Sequence, residues 1–322
     1  MLRFFRKYHK WFSLVATLFI LFFAVSGIVL NHRELLSKAD ISRNLLPPIY
    51  RYNNWNLAAV KGAVRGGGDT LLVYGNIGVW RTGSTFREFR DLNAGFPAGI
   101  DNRKVNTLAG SPASSWYAGT LFGLFRLDKD GWRKVPLPVE NPRVVKVLTT
   151  GDSLLVMTRS NLFLSTAASG FSVFREIRVP KGEDDDGKAG LFKTLWVIHS
   201  GEIYGLAGKL IVDAVGVVFI ILCITGLIYF FVPYRLKKLK DEARRIRLKR
   251  FNKASLKWHN VLGSWAIVIL LLNTATGMFL RPPMLIPIAS ERVAKIKYTE
   301  LDTPNPWFDR FRDLLYDADQ RR

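Results

Sequence analysis

Histidines are the side chains of this chain best suited to chemistry near neutral pH, because imidazole both transfers protons and binds metals. The chain has four, and each lies beside a long apolar run: His9, His32, His199 and His259. Haem iron takes an imidazole on each axial face, so a haem needs two histidines from different helices at one depth. His9 and His259 form the better candidate pair, and His199 and His32 complete the set. The alternative is that all four are interfacial rings without a ligand.

The apolar runs that follow His9 and His259 are copies of one pattern. With the two histidines aligned, the runs match without a gap, and Gly27 falls on Gly277, each after a small hydroxyl residue. In each run the His and the Gly are 18 residues apart, about five helical turns, so they share one helix face. Roughly 20 mostly apolar residues are enough to span a bilayer. The pattern therefore predicts two membrane-spanning helices, with glycines that let another helix approach closely.

A third apolar run over 209–232 predicts a third spanning helix and contains two polar features of interest. It has its own Thr225-Gly226 pair, and Asp213 lies within it. An intramembrane carboxylate is a functional candidate; the alternative is an interfacial ion pair with Lys209, one turn away. In the helix that follows His259, Asn273 is expected to form a hydrogen bond with a neighbouring helix.

The charge of the chain indicates how it sits in a membrane. Its 322 residues include 47 basic and 26 acidic residues, a net charge of +21. Basic residues are concentrated in 1–10 and in 235–257, which both abut apolar runs, as expected of cytoplasmic segments. The concentration argues against a nucleic-acid partner and for the bilayer itself. The single cysteine, Cys223, excludes an intramolecular disulfide. The first apolar run is too long for a signal peptide and is interpreted as a retained anchor.

Residues 33–190 are soluble in character and contain a repeat. The segment LLVYGNIGVWR (71–81) resembles WYAGTLFGLFR (116–126), and LLVMTRSNLFLS (154–165) is a weaker third copy. Each copy reads as a strand, a turn and a second strand, and the first two are followed by another polar turn and strand. A spacing of about 40–45 residues is typical of propeller blades, and the core of the second copy resembles the propeller repeat of bacterial two-component regulators. The alternative is an ordinary antiparallel meander.

Two further features of the soluble sequence concern binding. Three tryptophans, Trp80, Trp116 and Trp132, are expected on the surface of the domain, where they would suit a binding platform. The acidic run 181–188 reads as a solvated linker, since its spacing fits no standard calcium loop.

The last segment, 282–322, allows two readings. Its aromatic and leucine side chains suit an amphipathic helix, and its sequence equally suits the first strand of another blade. We expect that the natural chain continues with further blades and a fourth helix.

These residues together resemble the PepSY-associated transmembrane helix family of bacterial inner-membrane proteins. The resemblance is carried by His9-Lys10-Trp11 with Ser26-Gly27, by His259-Asn260 with Thr276-Gly277, and by I-H-S-G (198–201) leading to Thr225-Gly226. It implies a multi-pass inner-membrane protein, usually with four spans and often with a PepSY domain, where this chain has a propeller-like segment. Some relatives are ferric-siderophore reductases that carry electrons on haem.

The predicted fold is a membrane protein of the α+β class, with three transmembrane helices and a periplasmic all-β, propeller-like domain of about three blades. The predicted segments are helix one (1–32), the periplasmic domain (33–190), an interfacial segment with helix two (191–234), a basic cytoplasmic loop (235–257), helix three (258–281) and a periplasmic tail (282–322). The N-terminus and 235–257 are expected in the cytoplasm, and 33–208 and the tail in the periplasm.

Two functions remain open on the sequence. The first is transmembrane electron transfer through haem b to a periplasmic acceptor such as a ferric siderophore, which would make the protein a ferric-chelate reductase. The second is a non-enzymatic anchored protein whose propeller-like domain binds a periplasmic ligand or protein, or signals inward. No metal other than haem iron is expected, and no nucleotide-binding, zinc-protease or serine-hydrolase motif is present. The sequence does not indicate the oligomeric state.

Overall fold

Three long helices contain most of the apolar sequence. The computed structural model describes residues 2–39, 42–45, 47–48, 60–110, 115–140 and 142–317. It divides into two units, a helical unit of Met1–Arg33 and Asp186–Thr303, and a β unit of Glu34–Asp185 and Pro304–Arg322. The helices are α1 (Leu2–Asn31), the one-turn α2 (Arg33–Leu36), α3 (Leu191–Ser200), α4 (Gly205–Lys238) and α5 (Glu242–Met278). Within the described residues, three spans are long and apolar enough to cross a membrane: Tyr8–Asn31, Glu202–Lys238 and Glu242–Met278.

Helix α4 is the centre of the helical unit, since it packs against both α1 and α5, while the short α3 packs on α5. Glycines allow these helices to approach closely. A Cβ on Gly216 of α4 would lie 3.2 Å from the Ile28 side chain of α1. A Cβ on Gly263 of α5 would lie 3.7 Å from Leu222 of α4. Small residues serve this purpose in membranes because helix association there depends on close packing rather than on expulsion of water.

The segment predicted as a loop, 235–257, is mostly helical. Helix α4 continues to Lys238 and α5 begins at Glu242, so only three residues separate them. The Asp241 side chain caps α5 by accepting a hydrogen bond from the Arg244 backbone N–H at 3.1 Å. Lys, Arg, Leu and Ala are good helix formers, and they extend α5 through the basic sequence. The positive charge is therefore held on a rigid element.

The connection between α3 and α4 turns at glycines. Helix α3 ends at Gly201, whose φ of 79° is in the left-handed region. A Cβ on Gly208 would lie 2.0 Å from the Gly201 carbonyl oxygen. Only glycine allows this approach, so α3 folds back tightly against the start of α4.

The β unit contains three four-stranded antiparallel sheets, each with its strands in chain order. The first comprises β1 (Val60–Gly67), β2 (Thr70–Gly75), β3 (Gly78–Gly83) and β4 (Phe89–Asp91). The second comprises β5 (Val105–Ala109), β6 (Tyr117–Thr120), β7 (Gly123–Asp128) and β8 (Gly131–Val135). The third comprises β9 (Val144–Thr150), β10 (Ser153–Thr158), β11 (Leu162–Thr166) and β12 (Arg175–Ile177). A two-stranded sheet in the helical unit pairs β13 (Ala189–Gly190) with β14 (Arg292–Val293).

The predicted repeat is confirmed at the level of strands. Its three copies fall on the second and third strands of the three sheets, β2–β3, β6–β7 and β10–β11. The first strand of the middle sheet, β5, packs against both β1 and β9. One apolar core forms between the first and second sheets around Val79, Phe125 and Trp132, and another between the second and third around Leu124, Val156 and Phe163.

The expectation that three tryptophans are exposed is wrong for two of them. Trp116 and Trp132 are buried, with 9% and 3% of their surface exposed. Trp132 packs in the first core, and its indole N–H donates to the Leu92 carbonyl at 2.6 Å. Trp116 and Trp132 pack in the core between the first and second sheets, so they are not available to line a ligand-binding surface.

The acidic run 181–188 is exposed except at Asp185, as predicted for a solvated segment, and two of its aspartates also form ion pairs. Asp185 lies 3.2 Å from Arg310 within the β unit, and Asp186 lies 2.8 Å from Arg292 within the helical unit.

In the tail, residues 304–317 form neither the predicted amphipathic helix nor a ladder strand. Prolines 304 and 306 have no backbone N–H to donate to a strand ladder. The segment is tied to the β10–β11 turn instead, by an ion pair between Asp309 and Arg159 and by a 2.8 Å hydrogen bond from Asn305 to the Ser160 carbonyl.

Candidate functional site

Two of the four histidines meet at the basic end of the helical unit. His9 on α1 and His259 on α5 have ring centroids 6.5 Å apart, and their planes are inclined by 46°. The aligned repeat places each ring at the start of the apolar part of its helix, which in α1 is near the N-terminus and in α5 is near the middle. The structure thus brings together the pair that the sequence favoured.

Each of these two imidazole rings is positioned by a hydroxyl group that contacts the Nδ1 atom of the ring. His9 Nδ1 lies 2.9 Å from Ser13 Oγ, one turn along α1. His259 Nδ1 lies 3.0 Å from Thr225 Oγ1 on α4. The Thr225 hydroxyl donates its proton to the Ile221 carbonyl at 2.7 Å, so its oxygen accepts from Nδ1–H of His259. This assignment leaves the lone pair of His259 on Nε2, the tautomer that can bind a metal.

The glycine of the Thr225-Gly226 pair lies beside the same ring. A Cβ on Gly226 would lie 3.6 Å from Cε1 of His259, in ordinary contact, so an alanine would also fit there.

His199 occupies a second site of the same design. Its Nδ1 lies 3.0 Å from the Asn273 carbonyl oxygen and 3.2 Å from Thr276 Oγ1, both on α5. The next residue is Gly277, where a Cβ would lie only 2.8 Å from Cε1 of the ring. Burial lowers the pKa of His199, against the opposite effect of its hydrogen bond to Asn273, so the ring is held neutral. The hydrogen bond predicted for Asn273 is confirmed, because its Nδ2 donates to the His199 carbonyl at 3.2 Å.

His32 is engaged differently, by a carboxylate. Its Nε2 lies 2.6 Å from Asp213 Oδ2, and Asn31 donates to Asp213 Oδ1 at 3.0 Å. The predicted pairing of Asp213 with Lys209 is therefore wrong, and Lys209 lies 3.4 Å from Glu202. The His32 side chain is 26% exposed and that of Asp213 is 13% exposed, so the pair joins the ends of α1 and α4 in a partly buried setting.

His9 and His259 are the two residues that would hold a haem here. A haem takes one imidazole from the protein on each face of its iron, and these two rings lie on different helices with their centroids 6.5 Å apart. No group of three or more His, Cys, Asp or Glu side chains that could hold a metal ion occurs in the described part of the chain.

The sequence singled out the histidines and the hydroxyl–glycine pairs but did not connect them. Glycines 226 and 277 were expected to admit a neighbouring helix, whereas each faces an imidazole ring. No signal in the sequence pointed to the pairing, because a threonine in a helix can donate to a carbonyl of its own helix, as Thr225 does to Ile221, and the histidines are distant in sequence.

These features define a membrane protein with three spanning helices and a β-rich unit of antiparallel sheets. The chain belongs to the family described as the PepSY-associated TM region, whose model matches residues 2–232 and, in a second match, 208–309. A search among curated proteins found no match.

The similar solved structures match less than half of this chain. Two of these structures are of the extracellular domain of BT4673 from B. thetaiotaomicron, and each gives a TM-score of 0.35. One describes BT4673 as a putative one component system and the other as a putative hybrid two component system. The identities are 17% and 16%, over 43% and 44% of this chain and 18% of that chain. PorZ of the type-IX secretion system of Porphyromonas gingivalis gives 0.29 at 12% identity, over 37% of this chain and 16% of its own. This chain thus spans less than a fifth of the length of these structures.

Proposed function

We propose that this protein is a bacterial inner-membrane electron carrier that holds haem b between His9 and His259. The single observation that carries the proposal is the 6.5 Å separation of the two imidazole centroids on different helices. Haem supplies a one-electron redox centre when bound. The chain would pass electrons from a cytoplasmic donor to a periplasmic acceptor such as a ferric siderophore, reducing Fe(III) to Fe(II) by one electron.

The protein's own residues orient the ligands and tune them. Ser13 and Thr225 contact Nδ1 of the two imidazoles, which fixes ring rotation, and for His259 the Thr225 contact keeps Nε2 available for iron. His199, neutral and held through Nδ1 by Thr276, is the best candidate ligand for a second haem toward the other end of the helices. His32 is the weaker candidate, since its Nε2 binds Asp213.

The orientation follows from charge. We propose that the N-terminus and the basic segment 235–257 face the cytoplasm, and that 33–208 and the tail face the periplasm. A basic cytoplasmic end would attract an anionic donor such as a reduced nicotinamide or flavin.

Electron transfer across a sealed bilayer is the test. The purified protein would be placed in liposomes with dithionite inside and ferric citrate with an Fe(II) chromophore outside. We expect coloured Fe(II) chelate to form, and to fall to the rate of empty liposomes in His259→Ala. Lys257→Gln, next to the ligand but outside the proposed site, controls for insertion. A rate in His259→Ala equal to that of the unchanged protein contradicts the proposal.

A second function is favoured by the β unit: a propeller-type domain that binds a ligand outside the membrane. The observation is that β5 packs against both β1 and β9, so the first strands of three successive four-stranded sheets adjoin. In propellers the first strands of neighbouring blades line the central axis, where ligands bind. We propose that the three sheets are three blades.

A further inference from the structure

Lys10 follows His9 on α1 and places its ammonium group among aromatic rings. Its Nζ lies 4.7 Å from the ring centre of Phe230, 5.4 Å from that of Tyr234 and 5.8 Å from that of Trp11. It also donates a long hydrogen bond, of 3.5 Å, to the Tyr234 hydroxyl. Aromatic faces attract a cation but do not neutralise its charge. The Lys10 ammonium is thus held in a partly buried place where an anion would be stabilised.

The carboxylates of the helical unit that could neutralise this charge are scarce and already paired. Residues 1–33 contain no Asp or Glu. Between 214 and 290 the only acidic residues are Asp241 and Glu242, and each of them pairs with an arginine on α5. Within the described part of the chain, the identified partners of Lys10 are therefore aromatic rings and one hydroxyl group.

The Lys10 ammonium lies on the side of the histidine pair that faces the basic end of the helices. On α4, Gly226 lies beside His259. Phe230, which lies beside the Lys10 ammonium, is four residues further along α4, and four residues advance a helix by about 6 Å. Helix α4 ends in basic residues, so this direction leads toward the basic end. Lys10 also follows His9 directly, with about 3.8 Å between their Cα atoms.

Haem carries two carboxylate arms, the propionates, at one edge of the molecule. An ionised carboxylate at membrane depth costs free energy unless it is paired, so this edge should lie toward water and beside a cation. Lys10 meets both conditions. We propose that Lys10 pairs with a haem propionate, an assignment that rests on the haem site proposed above. Lys10 is then a positioning residue, because its charge sets which edge of the haem faces the basic end.

Binding of haem and of haem dimethyl ester to the full-length protein, purified haem-free in detergent, tests the assignment. The ester offers the same iron to the histidines, but its propionates carry no charge. We expect Lys10→Gln to weaken haem binding by about tenfold, because a hydrogen bond to a charged group is lost. The affinity for the ester should be the same in Lys10→Gln as in the unchanged protein. Lys10→Arg should keep most of the haem affinity, since it keeps the charge.

Lys253→Gln is the matched control, because it removes an exposed lysine of the basic end that lies six residues before His259. Haem affinity in Lys10→Gln equal to that of the unchanged protein would overturn the inference. An equal loss of affinity for haem and for the ester would also overturn it, since Lys10 would then act only by packing on Phe230 and Tyr234. A loss of the same size in Lys253→Gln would mean that general positive charge is the cause, against the inference. Failure of the haem site itself would look different, because the unchanged protein would then bind neither haem nor the ester.

Discussion

A threonine hydroxyl that donates its proton to the helix backbone can only accept from a neighbouring imidazole. Thr225 and Thr276 both do so: they donate to the carbonyls of Ile221 and Leu272, at 2.7 and 2.9 Å, and contact Nδ1 of His259 and His199. Each threonine thereby selects one tautomer of its histidine. At the level of single residues, the proposed haem site depends on this choice of tautomer.

Removing the Thr225 hydroxyl should therefore weaken haem binding without unfolding the protein. In Thr225→Val the His259 ring loses its Nδ1 partner, and loss of such a supporting contact typically lowers metal affinity by about 10–100-fold. Titration of the haem-free protein with haem would measure the affinity. Thr274→Val is the control, since the Thr274 hydroxyl bonds only the Leu270 carbonyl among its identified partners. Equal affinity in both variants would contradict the role given to Thr225.

Acid should destabilise the helical unit through His199. Because burial lowers its pKa in the folded protein, the unfolded chain binds more protons below the ordinary histidine pKa of about 6.5. Stability is then complete above that pH and is lost as the pH falls through it. Thermal unfolding in detergent should give a lower Tm at pH 5.5 than at pH 7.5, with a smaller drop in His199→Gln. An unchanged drop in the variant would show that other groups cause the effect.

At the scale of elements, the glycines of the three hydroxyl–glycine pairs, Ser26-Gly27, Thr225-Gly226 and Thr276-Gly277, differ in how closely they are packed. A Cβ on Gly277 would press on His199 at 2.8 Å, one on Gly226 would touch His259 at 3.6 Å, and one on Gly27 would meet nothing within 4 Å. We expect Gly277→Ala to lower the unfolding free energy by about 1–3 kcal/mol through overpacking. Gly226→Ala should have little effect, and Gly27→Ala should be neutral or stabilising, because alanine is the better helix former.

Thermal unfolding of the three variants side by side measures this order. If Gly27→Ala destabilised the protein as much as Gly277→Ala, the contact between α3 and α5 would not be the cause.

The elements themselves could largely be predicted from local signals. Apolar length predicts the three spans, and the strand–turn–strand repeat predicts β2–β3, β6–β7 and β10–β11. The continuation of α5 through the basic segment was missed, because positive charge was read as a loop although the residues favour helix and Asp241 supplies a cap. The site was predicted only as a set of histidines. Their partners Thr225, Thr276 and Asp213 are 34, 77 and 181 residues away in sequence, and only packing reveals such pairs.

At the scale of the whole molecule, the basic segment fixes the expected orientation. Residues 235–257 contain eleven Lys and Arg, and segments of this kind stay in the cytoplasm. In a Cys223→Ser background, a membrane-impermeant maleimide should label Val173→Cys in intact spheroplasts and Lys249→Cys only after permeabilisation. Val173 is 66% exposed, so access does not limit its labelling. The reverse pattern would invert the proposed topology.

The absorption spectrum of the purified protein would show whether it binds haem. Protein from cells supplied with haem and iron would be recorded oxidised and then reduced with dithionite. The account predicts a Soret band with sharp α and β bands on reduction, as low-spin haem with two imidazoles gives, diminished in His9→Ala and His259→Ala and retained in Lys257→Gln. A colourless preparation would contradict the haem assignment, and the function would then have to be sought in the β unit.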